Sequence, residues 1–191
     1  MEPINLFGFA QSTYVRTARL VCIEKAVEHA LLPLAFRADS HRARHPFLKM
    51  PALEHGDVAL YETLAIVTYV DGLRDAPALQ PRSSKQRALM MQWISASIDY
   101  LYRDLVVALL DEARPTDLGE RLDRDLTLLE TALHERAFLV GDALSLADLF
   151  VAPMIAFAQQ RKPDLIGASQ PNLQRWFASI SARPSFQSTA P

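Results

Sequence analysis

The chain has 191 residues, half of them hydrophobic, which is enough to bury the core of one large domain or two small ones. Its 20 basic and 22 acidic residues give a net charge of −2, which excludes a general attraction to nucleic acid or to an acidic membrane surface. The single cysteine, Cys22, rules out an internal disulfide and is typical of a reducing compartment. The sequence shows neither a secretory signal pattern at its start nor an apolar run near the roughly 18 residues of a membrane span. We therefore expect a soluble, cytoplasmic protein with no nucleic-acid or membrane partner.

The first part of the chain predicts a strand, a helix and a second strand. An apolar run over residues 4–7 ends at Gly8, as a short buried strand does. Ser12 and Thr13 then precede apolar residues that recur at helical spacing, and residues 31–36 form a second apolar run. Strand, helix and strand in so short a segment indicate a βαβ unit with parallel strands and a right-handed crossover.

Residues 49–72 predict a hairpin followed by a helix. Residues 52–54 and 58–60 are short strands, and Gly56 lies in the turn between them, where hairpins prefer glycine. The helix begins at Glu62 and Thr63 and ends at a glycine stop. The Met50–Pro51 bond precedes the first strand, and an X-Pro bond at such a corner can be cis at a cost of about 0.5–1 kcal/mol. The free N–H groups of the helix start suit a carboxylate ligand.

The rest of the chain predicts helices only. Residues 75–84 are polar with two prolines and read as a linker. Helical patterns follow over residues 84–110, 119–136, 146–159 and 173–182. We therefore predict an α+β protein: a thioredoxin-like domain over residues 1–74, a linker over 75–84 and an all-helical bundle over 85–191.

Two short motifs in the first domain resemble the cytosolic glutathione transferases. Lys49–Leu53 followed by Tyr61–Ile66 is similar to the family's Val-Pro-Ala-Leu and, about ten residues later, Glu-Ser-x-Ala-Ile. Gln11-Ser12-Thr13 with Arg16 resembles the Ala-Ser-Thr-x-x-Arg of the serine-type phi class. The resemblance implies a detoxifying homodimer that uses glutathione as a co-substrate, without a separate cofactor, against a small hydrophobic electrophile.

Ser12 is the candidate catalytic residue, because the resemblance implies that its hydroxyl donates a hydrogen bond to the sulfur of glutathione. Lowering a thiol pKa by about two units takes roughly 2.7 kcal/mol. A hydrogen bond to a charged group gives about 1.5–3 kcal/mol and a helix N-terminus about 0.3–1, so a donor suffices. The alternative is that Ser12 only caps the helix, which is worth about 1 kcal/mol. Tyr14 is a minor candidate, Phe7 stands where tyrosine-type members carry their hydroxyl, and Cys22 is expected in the core.

Glu62 and Thr63 match the pair that holds the γ-glutamyl end of glutathione in the family. The resemblance places Glu62 against the ammonium, Thr63 against the carboxylate, and the main chain of Met50, before Pro51, against the cysteinyl residue. Lys49 is placed to reach the glycyl carboxylate, or it is a solvated lysine of the surface.

A cationic segment over residues 37–45 offers other partners for that carboxylate, namely His41, Arg42 or Arg44, or it is merely a surface loop. The chain departs from the family here, since His45-Pro46 replaces Asn-Pro and Leu48 replaces a common glycine. The histidines do not have the spacing of metal ligands, and no metal is expected.

The helical domain offers structural residues and weaker site candidates. Ser145 and Asp148 form a capping box that the family carries as a folding element, and Trp176 is expected in the core. The electrophile should lie between the domains on apolar side chains. Its candidate contacts are Phe9, Tyr100, Tyr102 and Arg103; the alternative for each is that it packs inside the protein or lies at a subunit contact.

Two other functions fit the same motifs. A glutathione-dependent isomerase or dehalogenase is one, although zeta isomerases show Ser-Ser-Cys where this chain has Gln11-Ser12-Thr13. The other is a non-catalytic relative that binds a hydrophobic ligand or a protein.

Overall fold

A four-stranded sheet organises the N-terminal part of the protein. The computed structural model describes residues 2–111 and 113–191. In chain order the elements of this part are β1 Ile4–Phe7, α1 Thr13–Glu24, β2 His29–Leu32, α2 Asp39–Arg44, β3 Ala52–His55, β4 Val58–Tyr61 and α3 Thr63–Gly72. The strand order is β2-β1-β3-β4, with β1 parallel to β2 and antiparallel to β3, and β3 antiparallel to β4. This is the thioredoxin-like arrangement that the element order predicts.

Two elements of this part differ from the sequence expectation. The second strand runs from His29 to Leu32, because it pairs in register with Ile4–Phe7 and ends at Pro33, which has no N–H for the ladder. The cationic segment is not wholly a loop, since α2 occupies Asp39–Arg44. Only His41 of α2 is buried, so the sequence carries no apolar periodicity that would predict this helix.

The second part is helical throughout its regular structure. Its elements are α4 Ser84–Ala96, two π-helical segments Ser97–Leu101 and Arg103–Val107, α5 Ala108–Leu110, α6 Leu118–Ala132, α7 Leu146–Arg161 and α8 Pro171–Ser181. The long helix predicted over residues 84–110 is therefore wound partly with π-type hydrogen bonds. Helix α7 is buried over most of its length and contains Pro153. No helix within residues 2–111 or 113–191 combines the length and the apolar character needed to cross a membrane.

The chain divides into two compact units, Met1–Ala78 with Pro184–Pro191, and Leu79–Arg183. The first boundary falls inside the predicted linker. The last eight residues belong to the first unit and include the short helix α9 Pro184–Ser188. The predicted helical domain over 85–191 is therefore too long at its C-terminal end. The physical reason is a contact with α1: the Arg16 guanidinium lies 3.8 Å from the ring centroid of Phe186 and Nη2 donates to the Phe186 carbonyl at 2.8 Å.

Candidate active site

The strand register brings three predicted site segments to one edge of the sheet. Phe7 at the end of β1 is paired with Ala52 at the start of β3, and Ala52 is paired with Tyr61 at the end of β4. Ser12 follows β1, Met50–Pro51 precedes β3, and Glu62–Thr63 follow β4, so all three segments leave the sheet at that edge.

The width of this edge suits a tripeptide. Neighbouring strands lie about 4.8 Å apart, so the outer two of three strands are separated by about 10 Å. A fully extended chain of three residues spans about the same distance. The edge is therefore long enough for an extended tripeptide.

Ser12 caps helix α1, and this role is compatible with catalysis. Its Oγ accepts a hydrogen bond from the Val15 N–H at 3.4 Å, and the side chain is half-buried. A hydroxyl has one proton to donate and two lone pairs to accept, so capping uses only acceptor capacity. The Ser12 O–H can still donate to a sulfur at the helix N-terminus.

The other thiol and hydroxyl candidates lie in different surroundings. Cys22 is fully buried within α1, and burial raises the pKa of its thiol to about 12. It is a core residue, as the sequence predicts, because a thiol with so high a pKa forms almost no thiolate at neutral pH. Tyr14 is half-buried in the first turn of α1. Phe7 is buried at the end of β1.

The corner before β3 is a cis Met50–Pro51 bond. Pro51 is buried, and Met50 packs against the cluster formed by Phe7, Leu34 and Ala52. A side chain at Gly8 would come within 3.5 Å of the Met50 Cβ, which places the segment that leads to Ser12 beside this corner.

The start of α3 has an unusual backbone at Glu62. Its φ is +69° and its ψ is 121°, whereas Thr63 begins the regular helix and is only 7% exposed. A non-glycine residue at positive φ costs of order 1–3 kcal/mol, and such residues cluster at ligand clamps. The Glu62 carboxylate is 63% exposed, so it is available to a ligand.

The cationic segment contributes fewer ligand contacts than the sequence suggests. His41 is fully buried, its Nδ1 accepts from the Arg37 N–H at 3.0 Å and its Nε2 lies 2.8 Å from the Lys49 carbonyl oxygen. This corrects its assignment to glutathione, because both ring nitrogens already bond to the main chain. Arg44 is also engaged, with Nε 2.9 Å from Glu54 Oε1. Lys49 and Arg42 are both exposed, and Lys49 directly precedes the Met50–Pro51 corner.

The departures from the family pattern have structural consequences. Leu48 has a φ of +54°, a conformation that favours glycine, and this is where the family commonly carries glycine. His45 is 2% exposed and its Nε2 lies 3.9 Å from Glu62 Oε1. The sequence predicts no role for His45. The only signal in the sequence was its replacement of the usual asparagine.

In the second unit Asp148 is a structural residue. It is fully buried, and four donors reach it: the Leu139 N–H and Trp176 Nε1 at Oδ1, and the Ser145 N–H and hydroxyl at Oδ2, all at 2.9–3.0 Å. The capping box predicted at Ser145 is present. Burial raises the pKa of Asp148, and these hydrogen bonds oppose that shift.

The electrophile candidates belong to both units. Phe9 is exposed in the first unit, where its ring lies 6.2 Å from that of Phe36. In the second unit Tyr100 lines a cavity of about 290 Å³ that α6 also borders. Tyr102 is half-buried, and Arg103 Nε donates to Asp104 at 3.0 Å. The residues that the structure describes contain no group of three His, Cys, Asp or Glu side chains that could hold a metal ion.

The fold and the site together define a thioredoxin-like domain with a tripeptide-sized edge, joined to a helical domain. Two family models match the chain: the glutathione S-transferase N-terminal domain over residues 6–78 and the C-terminal domain over residues 110–184. The chain is 29% identical to a probable glutathione S-transferase of Oryza sativa subsp. japonica, over 100% of this chain and 97% of the relative. It is 27% identical to a glutathione S-transferase of Hyoscyamus muticus, over 96% and 95% of the two chains.

Solved structures agree with these sequence matches. The structure of poplar glutathione transferase F1 has a TM-score of 0.89 and 25% identity, over 99% of this chain and 97% of that one. A glutathione S-transferase from Methylobacillus flagellatus KT, with GSH bound, has a TM-score of 0.87 and 26% identity, over 98% and 99%. The chain belongs to the cytosolic glutathione transferase family.

Proposed function

We propose that this protein is a serine-type glutathione transferase that binds glutathione across the edge formed by β1, β3 and β4. The observation that carries the proposal is the register Phe7–Ala52–Tyr61, which places Ser12, the Met50–Pro51 corner and Glu62–Thr63 at one edge of one sheet. The family membership gives the tripeptide its identity, and the edge has the length of an extended tripeptide.

Each end of glutathione has a partner of suitable chemistry. The γ-glutamyl carboxylate accepts from the Thr63 N–H and hydroxyl at the positive end of α3, and the γ-glutamyl ammonium pairs with Glu62. The main chain of Met50 pairs with the cysteinyl residue as an added strand would. Lys49, which adjoins Met50, meets the glycyl carboxylate; His41 and Arg44 are held by other partners, and Arg42 is the exposed alternative.

The chemistry at sulfur needs only a stabilised thiolate. The glutathione thiol loses its proton to solvent, and the Ser12 hydroxyl donates a hydrogen bond to the resulting thiolate at the N-terminus of α1. The sulfur lone pair then forms a bond to the electrophilic atom of a small hydrophobic substrate. Either the leaving group departs with its bonding electrons, or the electrons of a double bond move to the neighbouring atom. Ser12 keeps its own proton throughout and does not act as a base.

One observation favours a second candidate, a non-catalytic relative that binds glutathione or a hydrophobic ligand. Ser12 already caps α1 by accepting from Val15, and a cap alone would explain why a serine stands there. A thiolate titration separates the two candidates, because a protein that only binds glutathione need not lower the thiol pKa. On family resemblance we also propose a cytoplasmic homodimer.

The anchor assignment is tested by calorimetry with glutathione. The Thr63→Val variant keeps the shape of a buried side chain but removes its hydroxyl. It therefore removes the proposed hydrogen bond from that hydroxyl to the γ-glutamyl carboxylate, and a hydrogen bond to a charged group is worth about 1.5–3 kcal/mol. We expect affinity to fall about tenfold or more, whereas Thr68→Val, an exposed position of the same helix, leaves affinity unchanged. Failure of the wild-type protein to bind glutathione would overturn the proposed function. Equal affinity of the two variants would remove Thr63 from the site.

A further inference from the structure

His45 lies at a junction between helix α2 and the start of α3. It follows the last residue of α2, and its backbone N–H donates to the His41 carbonyl at 2.8 Å. Its ring packs against two aromatic rings, with centroid distances of 5.1 Å to Tyr61 and 6.4 Å to Phe47, and those two rings lie 6.2 Å from each other. Tyr61 immediately precedes Glu62. The packing therefore fixes the imidazole relative to the backbone that carries the Glu62 carboxylate.

The two ring nitrogens of His45 have different surroundings. Nε2 lies 3.9 Å from Glu62 Oε1. Nδ1 is buried, and no hydrogen-bond partner reaches it from residues 2–111 or 113–191. A proton on Nδ1 would be a buried donor without an acceptor, which costs about 1–3 kcal/mol, whereas an unpaired lone pair costs less. The favoured state is therefore a neutral ring with its proton on Nε2, directed at Glu62.

We infer that His45 is a positioning residue for Glu62: its neutral imidazole directs an Nε2–H dipole at the carboxylate that receives the γ-glutamyl ammonium. This inference rests on the proposed glutathione site. At 3.9 Å the contact is longer than a hydrogen bond, so the imidazole acts through its dipole and its packing. A neutral donor orients the carboxylate without cancelling the negative charge that the ammonium needs. A cation at the same place would compete with the ligand.

The charges around His45 favour the neutral ring near pH 7. Glu62 faces it from the start of α3, His41 from α2 and Lys49 from the segment before β3, while the Tyr61 ring packs on it from β4. Burial lowers the pKa of His45 below its ordinary value of 6.5; Glu62 opposes this shift, and His41 and Lys49 add to it. The ring gains its proton only as the pH falls below 6.5. The imidazolium then pairs with Glu62 and weakens ammonium binding.

The test measures binding of S-methylglutathione by calorimetry between about pH 7.5 and pH 5, because this probe has no thiol to titrate. For the wild-type protein we expect the affinity to be constant above pH 6.5 and to fall about fivefold by about pH 5. A fivefold fall corresponds to the free energy of one exposed ion pair, about 1 kcal/mol. His45→Gln keeps an N–H donor but cannot become a cation, so its affinity near pH 7 stays close to that of the wild type and does not fall with pH. His134→Gln, an exposed histidine in the other unit, should behave as the wild type.

Two further measurements separate positioning from folding. His45→Leu removes the donor, and we expect it to raise KM for glutathione about fivefold with little change in kcat, because the ammonium contact is the same in the ground and transition states. Ring nitrogen NMR shifts at pH 7 should show the Nε2–H tautomer for His45. A wild-type protein that does not bind S-methylglutathione refutes the proposed function itself. Binding with the same pH profile in His45→Gln and wild type, or an imidazolium or Nδ1–H ring at pH 7, overturns the role of His45 alone.

Discussion

The cap observed at Ser12, together with the donor role proposed for it, leads to a prediction in which function and stability separate. The Ser12→Ala variant removes the proposed donor to the thiolate. That donor is worth about 1.5–3 kcal/mol, so the pKa of the bound glutathione thiol should rise by about one to two units. It also removes the cap that accepts from Val15, worth at most about 1 kcal/mol because the bond is long at 3.4 Å. Glutathione affinity should change little, since the anchors lie at the other segments.

The Ser12→Asp variant provides the matched control for the cap. A carboxylate accepts from the Val15 N–H as well as serine does, so stability is retained, but it has no proton to donate and adds a charge that repels the thiolate. Both variants should therefore lose turnover, by about tenfold to a hundredfold below the raised thiol pKa, while only Ser12→Ala loses stability. The turnover rate of Ser12→Ala should therefore recover as the pH rises through the raised thiol pKa, because the bound thiol then ionises without the donor.

The assay combines the ultraviolet absorbance of the thiolate in the bound complex with the pH–rate profile on an activated aryl halide. Wild-type protein should show a thiol pKa well below that of free glutathione, and Ser12→Ala should move it back toward the free value. An unchanged thiol pKa together with unchanged turnover in Ser12→Ala would refute the donor role and leave Ser12 as a cap. A lowered thiol pKa in wild type would exclude the purely binding alternative.

Two predictions concern the stability of the second unit, whose unfolding can be followed by the fluorescence of Trp93 and Trp176. Asp148→Asn turns an amide group toward the Ser145 N–H and should destabilise the unit by about 2–4 kcal/mol in urea unfolding. The control Asp142→Asn makes the same chemical change at an exposed position and should cost little stability. Equal losses of stability in the two variants would contradict the structural role of Asp148. Burial alone would raise the pKa of Asp104, but hydrogen bonds and charges from Arg121 and Arg103 outweigh it and lower the pKa to about 2. The stability from this depressed carboxyl is present above its unfolded pKa of about 3.9 and is lost as the pH falls toward 2, a change of roughly 2 to 3 kcal/mol. Asp104→Asn should therefore lose less stability than wild type between about pH 5 and pH 2, and parallel pH curves would contradict the ion-pair network.

Most of the candidate site could be predicted from the sequence because its signals are local. A proline before a strand, a glycine in a hairpin turn and an acid–hydroxyl pair at a helix start each act on their own few residues. The hairpin therefore matches the prediction to within a residue at each end of its strands. The predicted position of β2, residues 31–36, was wrong because the limits of this strand are set by its pairing with β1. A single apolar run does not reveal that pairing.

The sequence by itself determined the two-part α+β plan, the family and the segments that form the candidate site, because these depend on periodicity and short motifs. Only the tertiary structure decided that His41 is committed to the main chain, that His45 lies beside Glu62, and that the last eight residues return to α1. The physical reason is distance along the chain: the Arg16–Phe186 contact joins residues 170 apart, and the His45–Glu62 contact crosses two strands. Such contacts arise when separate elements pack together, and no local pattern in the sequence encodes them.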